Sequence, residues 1–330
     1  MIKWGILGCG NIANKFAEAV NKAVDGAELQ SAAARDLSRA KSFAKKHKIP
    51  SFYGSYEELV KDPQVDAVYI ATPHSHHKEH ALLCLENGKA VVCEKPMAIN
   101  AEEVSDMISA ARRNNLFLME ALWMRFLPTI SHLKEVIAGG TLGQLRSIEA
   151  DFSFKAKYIQ EGRLFNPDLA GGALLDVGIY PLAFSLMAFN EEPLSITGTA
   201  KFGKTGVDES NSFKLEFAGE KFAVCKSAIV ENGTHEANLE FDDGIIEIPN
   251  FWRGESLKIR KKNSDPVEIK LPFELNGFEY EIREAVECIS MGKKESATMP
   301  LSESLRLAKL MDSLRQSWQM TYPMEVKTYK

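Results

Sequence analysis

The chain has 330 residues, enough for two domains with separate cores, and its 40 Lys and Arg against 45 Asp and Glu give a formal net charge of −5. No long block carries one sign, which argues against bulk binding to nucleic acid or to an anionic membrane. Five widely spaced cysteines, an odd number in mostly apolar contexts, lead us to expect reduced thiols in a cytoplasmic protein, with no signal peptide ahead of Trp4 and no apolar run long enough to cross a bilayer.

Ile2 to Leu7 reads as a short apolar strand, followed at once by Gly8-Cys9-Gly10-Asn11-Ile12-Ala13 and helical spacing from Asn14 to Lys22. A second strand, Glu28 to Ala34, leads into a helix from Ser38 to Lys46. Val65 to Ala71 is a third strand, with a helix from about Ser75 to Glu86; Lys89 to Cys93 is a fourth, with a helix from Ala101 to Arg113; Leu116 to Met119 is a further short strand. This alternation marks βαβ units and a mostly parallel sheet.

After about Leu127 the texture changes. A helical segment from Thr129 to Ile137 stops at Gly139-Gly140. Strand-like runs then predominate: Leu145 to Phe154, Leu194 to Phe202, Ser212 to Phe217, Lys221 to Ile229, His235 to Phe241, Gly244 to Pro249 and Ser256 to Arg260. Turns such as Glu231-Asn232-Gly233 and Asp242-Asp243-Gly244 predict an antiparallel sheet. Two helices, Glu279 to Ser290 and Ser302 to Ser317, close the chain. The expected fold class is therefore α/β. Two domains are expected, residues 1–124 on a mostly parallel sheet and residues 125–330 on a largely antiparallel one, with the terminal helices able to pack back on the first domain.

A strand running into Gly8-x-Gly10-x-x-Ala13 and a helix is the dinucleotide arrangement. Gly8 permits the tight turn, Gly10 lets the backbone approach the pyrophosphate, and Ala13 allows close helix packing. The helix start, Asn11 and Ile12 included, offers N–H groups to the phosphates. At the end of the second strand, where NAD enzymes present an acid to the ribose, this chain has Ala34-Arg35, with Ser38 and Arg39 one turn on. Arginines and a hydroxyl suit a 2′-phosphate, so NADP is expected, with NAD possible if Asp36 faces the ribose. Otherwise Asp36 and Arg39 are a solvated pair or a helix cap.

Ligands in open α/β sheets bind beyond the carboxyl ends of the strands, where Glu94-Lys95-Pro96 and Ala71-Thr72-Pro73-His74 fall. Lys95 could reach a substrate oxygen; the bland alternative is a strand that exits into a charged turn. In Gly171-Gly172-Ala173-Leu174-Leu175-Asp176-Val177-Gly178-Ile179-Tyr180-Pro181, Asp176 and Tyr180 are four apart and would share a helix face. A phenol with an ordinary pKa of about 10 needs a nearby cation to exchange protons readily. Composition is equally consistent with a buried tyrosine tied to an aspartate.

Together these motifs resemble the glucose-fructose oxidoreductase and inositol dehydrogenase superfamily. Glu120 to Phe126, Arg163-Leu164-Phe165-Asn166-Pro167 and Met299-Pro300-Leu301 are most similar to its branch of dimeric dihydrodiol dehydrogenases and NADP-dependent D-xylose dehydrogenases. The resemblance implies a dinucleotide-binding Rossmann domain over residues 1–124, a C-terminal α/β domain over residues 125–330 whose open, largely antiparallel sheet forms a homodimer or homotetramer, a peptide bond before Pro96 that is often cis, and Lys95 beside the nicotinamide. Tyr180 stands where many relatives have histidine, and Asp176 matches the family acid. The implied activity is reversible hydride transfer between the nicotinamide and a hydroxyl or carbonyl carbon of a sugar or cyclic diol, with Tyr180 exchanging the proton, Lys95 easing its loss and Asp176 orienting. The competing expectation is a catalytically silent NADP-binding regulatory or interaction protein.

Trp123, Arg125, Phe154 and Phe165 are further candidates for the substrate pocket, or else core; Trp123 and Arg125 also stand near the expected cofactor site. His76 and His80, four apart with His74 and His77 close by, raise a metal site, but no third ligand follows locally, and the resemblance gives His77 a part in shaping the turn after Pro73.

Overall fold

The computed structural model describes residues 1–326. The chain divides into two compact units, residues 1–123 with 274–308, and residues 124–273 with 309–330.

The first unit is built on six parallel strands, β1 (Ile2–Leu7), β2 (Ala27–Ala33), β3 (Ser51–Tyr53), β4 (Ala67–Ile70), β5 (Ala90–Glu94) and β6 (Leu118–Ala121). Their order is β3-β2-β1-β4-β5-β6, which places the switch point between β1 and β4. β4, β5 and β6 are buried along their whole length, as strands covered on both faces must be. The helices are α1 (Asn11–Ala23), α2 (Leu37–His47), α3 (Tyr56–Val60), α4 (His77–Glu86) and α5 (Ala101–Arg113). α1 buries Ala13, Phe16, Ala17 and Val20, one helical stripe. α5 starts where Asn100 accepts the N–H of Glu103, with acids in its first turn and arginines in its last, matching the helix dipole at both ends. Residues 274–308 contribute α8 (Phe278–Ser290), which packs on α1; Arg283 Nη2 donates to Ala23 O at 2.6 Å.

The second unit opens with α6 (Pro128–Gly139), which ends in a left-handed Gly140. Its eight strands are β7 (Leu145–Ser153), β8 (Ser195–Phe202), β9 (Asp208–Glu216), β10 (Phe222–Ala228), β11 (Glu236–Phe241), β12 (Gly244–Pro249), β13 (Ser256–Lys261) and β14 (Val267–Lys270). The order is β14-β13-β12-β11-β7-β10-β9-β8, antiparallel except for the β7–β10 pair. α7 (Ile179–Phe189) lies on β7 and β10 with all eleven residues buried. α9 (Leu301–Ser317) is the last α-helix among the described residues and is followed by a short 3₁₀ turn, Pro323–Glu325.

The structure corrects several expectations. The helical stretch Pro167–Phe189 is long and apolar enough to span a membrane, contrary to expectation, and is almost wholly buried, as befits a core helix. β3, α3 and β14 were not foreseen, being three to five residues long. β9 begins at Asp208, not Ser212, because polar Asp208, Ser210 and Asn211 are buried and break the alternation that locates a half-exposed strand. Residues Leu174–Gly178 form a π-turn ahead of α7, so Asp176 and Tyr180 do not sit on one regular α-helix.

All five cysteines are free, buried thiols. Burial pushes Cys9 and Cys288 to about 11 and Cys225 to about 12, and raises Cys84 and Cys93 further.

Candidate active site

In the first unit the functional turns fan out from strand ends. Gly8 has φ of +92°, and a Cβ there would stand 2.7 Å from the backbone oxygen of Ala71, so only glycine lets the ends of β1 and β4 approach this closely. Gly10 precedes α1 without a side-chain cap, and a Cβ on it would meet nothing within 4 Å. The helix therefore starts with its first N–H groups uncapped beside open space, with Asn11 exposed and Ile12 half-buried, which fits a pyrophosphate. Asn14, by contrast, turns its amide back to Gly10 O at 2.8 Å.

Arg39 Nε donates to Cys9 O at 3.2 Å, which ties α2 to the glycine turn and holds a guanidinium beside it. Asp36 caps α2, accepting from Ser38 N at 2.8 Å and Ser38 Oγ at 2.7 Å. Its carboxylate is held low mainly by that hydroxyl, so the acid serves the helix start while Arg35 and Arg39 stay exposed nearby.

His77 fastens two turns together. Its Nδ1 lies 2.8 Å from Pro96 O and its Nε2 2.8 Å from Thr72 O, and the ring is fully buried. Burial lowers its pKa against the opposing pull of the two carbonyls, so a neutral ring holds one proton for two acceptors. His80 Nδ1 meets Thr72 Oγ1 at 2.9 Å, and burial lowers its pKa to about 4. His77 and His80 are thus engaged in shaping the turn, and among the described residues no cluster of His, Cys, Asp or Glu is arranged to hold a metal ion. The Lys95–Pro96 bond is cis, and Glu94 accepts from Tyr69 Oη. Pro73 leads into a short 3₁₀ turn that carries His74. Trp123 stacks on Phe278, ring centroids 5.0 Å apart.

In the second unit Asp176 is buried in the π-turn and accepts from Arg163 Nη1 at 2.7 Å; Arg163 comes from the exposed segment 155–163. Tyr180 is buried in the first turn of α7, its ring 5.4 Å from that of Phe152. Phe154 is 6.2 Å from Phe152, and Arg125 is buried just ahead of α6. Phe165 packs in a small core with Ala173, Val177 and Ile229, so it supports the turn from below.

Three neighbours escaped sequence reasoning. Trp252 stacks on Phe152 at 3.7 Å, His235 meets Trp252 edge-on at 5.0 Å, and Arg163 pairs with Asp176. Trp252 lies between two antiparallel strands with no motif to mark it; Arg163 lies in the segment Arg163-Leu164-Phe165-Asn166-Pro167, where nothing local in sequence points to Asp176.

Among known proteins, the model of the oxidoreductase family with an NAD-binding Rossmann fold matches residues 2–122, and that of the GFO/IDH/MocA C-terminal domain matches residues 130–247. The chain is 40% identical over 331 residues to the trans-1,2-dihydrobenzene-1,2-diol dehydrogenase of Mus musculus, covering 98% of this chain and 99% of that one. The enzyme of the same name from Xenopus tropicalis is 39% identical over 330 residues, covering 97% and 99%. The aldose-aldose oxidoreductase of Caulobacter crescentus, solved with glycerol, shares the fold with a TM-score of 0.88 at 24% identity, covering 96% of this chain and 97% of that one.

Proposed function

We infer function from one premise: the chain belongs to the GFO/IDH/MocA oxidoreductase family, with its NAD-binding Rossmann fold. It is accordingly a nicotinamide-dependent dehydrogenase or reductase of CH–OH groups. We propose NADP as the preferred nucleotide and a cyclic trans-diol or a sugar as substrate. The diol enters from the name of relatives 39 and 40% identical to this chain, and the stacked Phe152 and Trp252 beside Tyr180 suit a flat, apolar ring. Arg39 at the glycine turn, with Asp36 spent on capping α2, supports the 2′-phosphate.

The bound nicotinamide supplies or accepts the hydride. In this reading the Tyr180 phenol takes the hydroxyl proton as the alcohol is oxidised and returns it in reduction. Lys95, just past the end of β5, is the residue that we propose holds the substrate oxygen. Asp176, fixed by Arg163, sets the orientation. The observation that carries the proposal is a buried phenol and a buried carboxylate delivered by one apolar segment, the π-turn and the start of α7, with the phenol against an aromatic wall.

Replacing Tyr180 with Phe removes only the hydroxyl. Single-turnover hydride transfer should fall by a factor of about 100 to 10,000, the usual span for a lost acid–base group, with cofactor affinity retained. An unchanged rate across pH would remove the proton-transfer role from Tyr180, whereas a wild-type protein that binds NADP but transfers no hydride across a panel of carbonyls and polyols would leave the silent NADP-binding protein as the better reading. We further propose a cytoplasmic homo-oligomer formed through the eight-stranded sheet, whose β8, β12 and β14 expose Phe202, Ile245 and Val267; light scattering in solution tests the assembly.

A further inference from the structure

The turn that carries Asp176 is fixed from outside its own helix. Leu174 N donates to Asp208 Oδ2 at 2.8 Å, and the same oxygen accepts from Asn211 Nδ2 at 2.8 Å. Asn211 Oδ1 in turn accepts from Ser227 Oγ at 2.8 Å. These three side chains come from β9 and β10, and all are buried. They also touch the turn at both ends. A Cβ on Gly172, at φ +123°, would fall inside contact distance of Asp208 Oδ1, and a Cβ on Gly178 would stand 2.9 Å from Ser227 Oγ. Asp208 Oδ1 itself has no hydrogen-bond partner among the described residues. A fully buried carboxylate is costly, and an apolar residue would fill this place more cheaply if packing were its sole task. What a carboxylate adds is direction, because it fixes one N–H of the π-turn at one height above the sheet.

We propose that Asp208, Asn211 and Ser227 form a buried cradle that sets the height and rotation of the π-turn, making Asp208 a positioning residue for Asp176 and Tyr180 in hydride transfer. The inference rests on the reading that Asp176 and Tyr180 handle the substrate. Arg315 on α9 and the Tyr322 phenol are the charged and titratable groups facing Asp208, and Tyr322 Oη also holds Gly171 O at 2.7 Å. Burial lifts the Asp208 carboxyl to about 7, so a neutral amide with the same acceptor oxygen is a fair substitute for it.

Asp208→Asn, Asp208→Ala, Gly178→Ala and the pair Gly178→Ala/Ser227→Ala should be compared with Tyr180→Phe by circular dichroism, NADPH titration and single-turnover hydride transfer. A cradle that positions predicts a loss of about 100-fold in the rate for folded Asp208→Ala, as expected of a misplacement near 1 Å, with NADPH affinity unchanged and the rate rescued by Asp208→Asn. It also predicts that Gly178→Ala is slow and that removing the Ser227 hydroxyl restores part of the rate. Wild-type transfer by folded Asp208→Ala, beside an impaired Tyr180→Phe, overturns the cradle and leaves the proposed chemistry standing. If Asp208→Ala does not fold, the Gly178 pair decides, and absence of rescue overturns the proposal. Full activity in Tyr180→Phe removes the reading beneath it, and the cradle with it.

Discussion

The turns of the first unit are contiguous with the strands that carry them, whereas the π-turn of the second is held by an acid 34 residues further along the chain. Gly8, Ala71 and Lys95 each follow directly on a strand of the parallel sheet, and the strand ends place them, with His77 fastening the turns at Thr72 and Pro96. Asp176 depends on side chains from β9 and β10, brought beneath it only when the mixed sheet is complete. The first arrangement is robust to surface change and intolerant of any added atom at its glycines. The second is tuned by polar side chains, and its failures should appear in rate before they appear in affinity.

The sharpest test of that contrast is a pair of glycine substitutions. Gly8→Ala places a methyl 2.7 Å from a backbone oxygen in a left-handed conformation, strain of about 1–3 kcal/mol before the clash is counted. NADPH affinity should fall by a factor of about 100 or more in fluorescence titration. Gly172→Ala should leave that affinity intact and slow hydride transfer by a similar factor. Equal loss of affinity in both variants would break the comparison.

A smaller effect is expected at Arg39. Its truncation to Ala should weaken NADPH by a factor of about 10 to 100, the worth of one charge-assisted contact, and leave NADH nearly unchanged.

The two units should also respond oppositely to acid. His77 and His80 have folded-state pKa values below 6.5, so the unfolded chain binds their protons more readily, and their contribution is lost as the pH falls from about 6.5 toward 4; for His80 the ceiling is about 3 kcal/mol. Asp208, raised from 3.8 to about 7, works the other way: the folded state holds its proton, and stability declines as the pH rises from about 4 to 7. Hydrogen exchange, corrected for intrinsic rates, should lose protection around His80 and gain it around Asp208 between pH 7 and pH 5. Asp208→Asn should abolish the gain alone.

The smallest change belongs to Trp252→Ala. The loss of one stacked ring, worth about 1 kcal/mol, should raise KM for a cyclic diol several-fold and leave an acyclic substrate little affected in steady-state assays.

The same contrast explains what could be seen in the sequence. The parallel sheet and its glycine turn were legible because a strand, a turn and a helix follow one another within about twenty residues, and each small residue has a local reason. Asp36 was readable only as an ambiguity, since whether an acid caps a helix or faces a ribose depends on one residue of register. The π-turn was invisible: Asp176 and Tyr180 have the spacing of an α-helical face, and nothing nearby in sequence reports the extra widening. Asp208, Asn211 and Ser227 look like an ordinary polar strand edge until β9 and β10 pair. Trp252 and His235 reach Phe152 across the sheet, a pairing that no periodicity encodes.

Cys9, between the two glycines of the phosphate turn, points its sulfur toward Ala33 O at 3.6 Å and is almost sealed from solvent. With its thiol pushed up to about 11, it should ignore iodoacetamide for as long as the loop stays shut. Alkylation at that sulfur therefore becomes a stopwatch for breathing of the nucleotide cradle, readable by mass spectrometry, and a tightly bound dinucleotide should slow its hand.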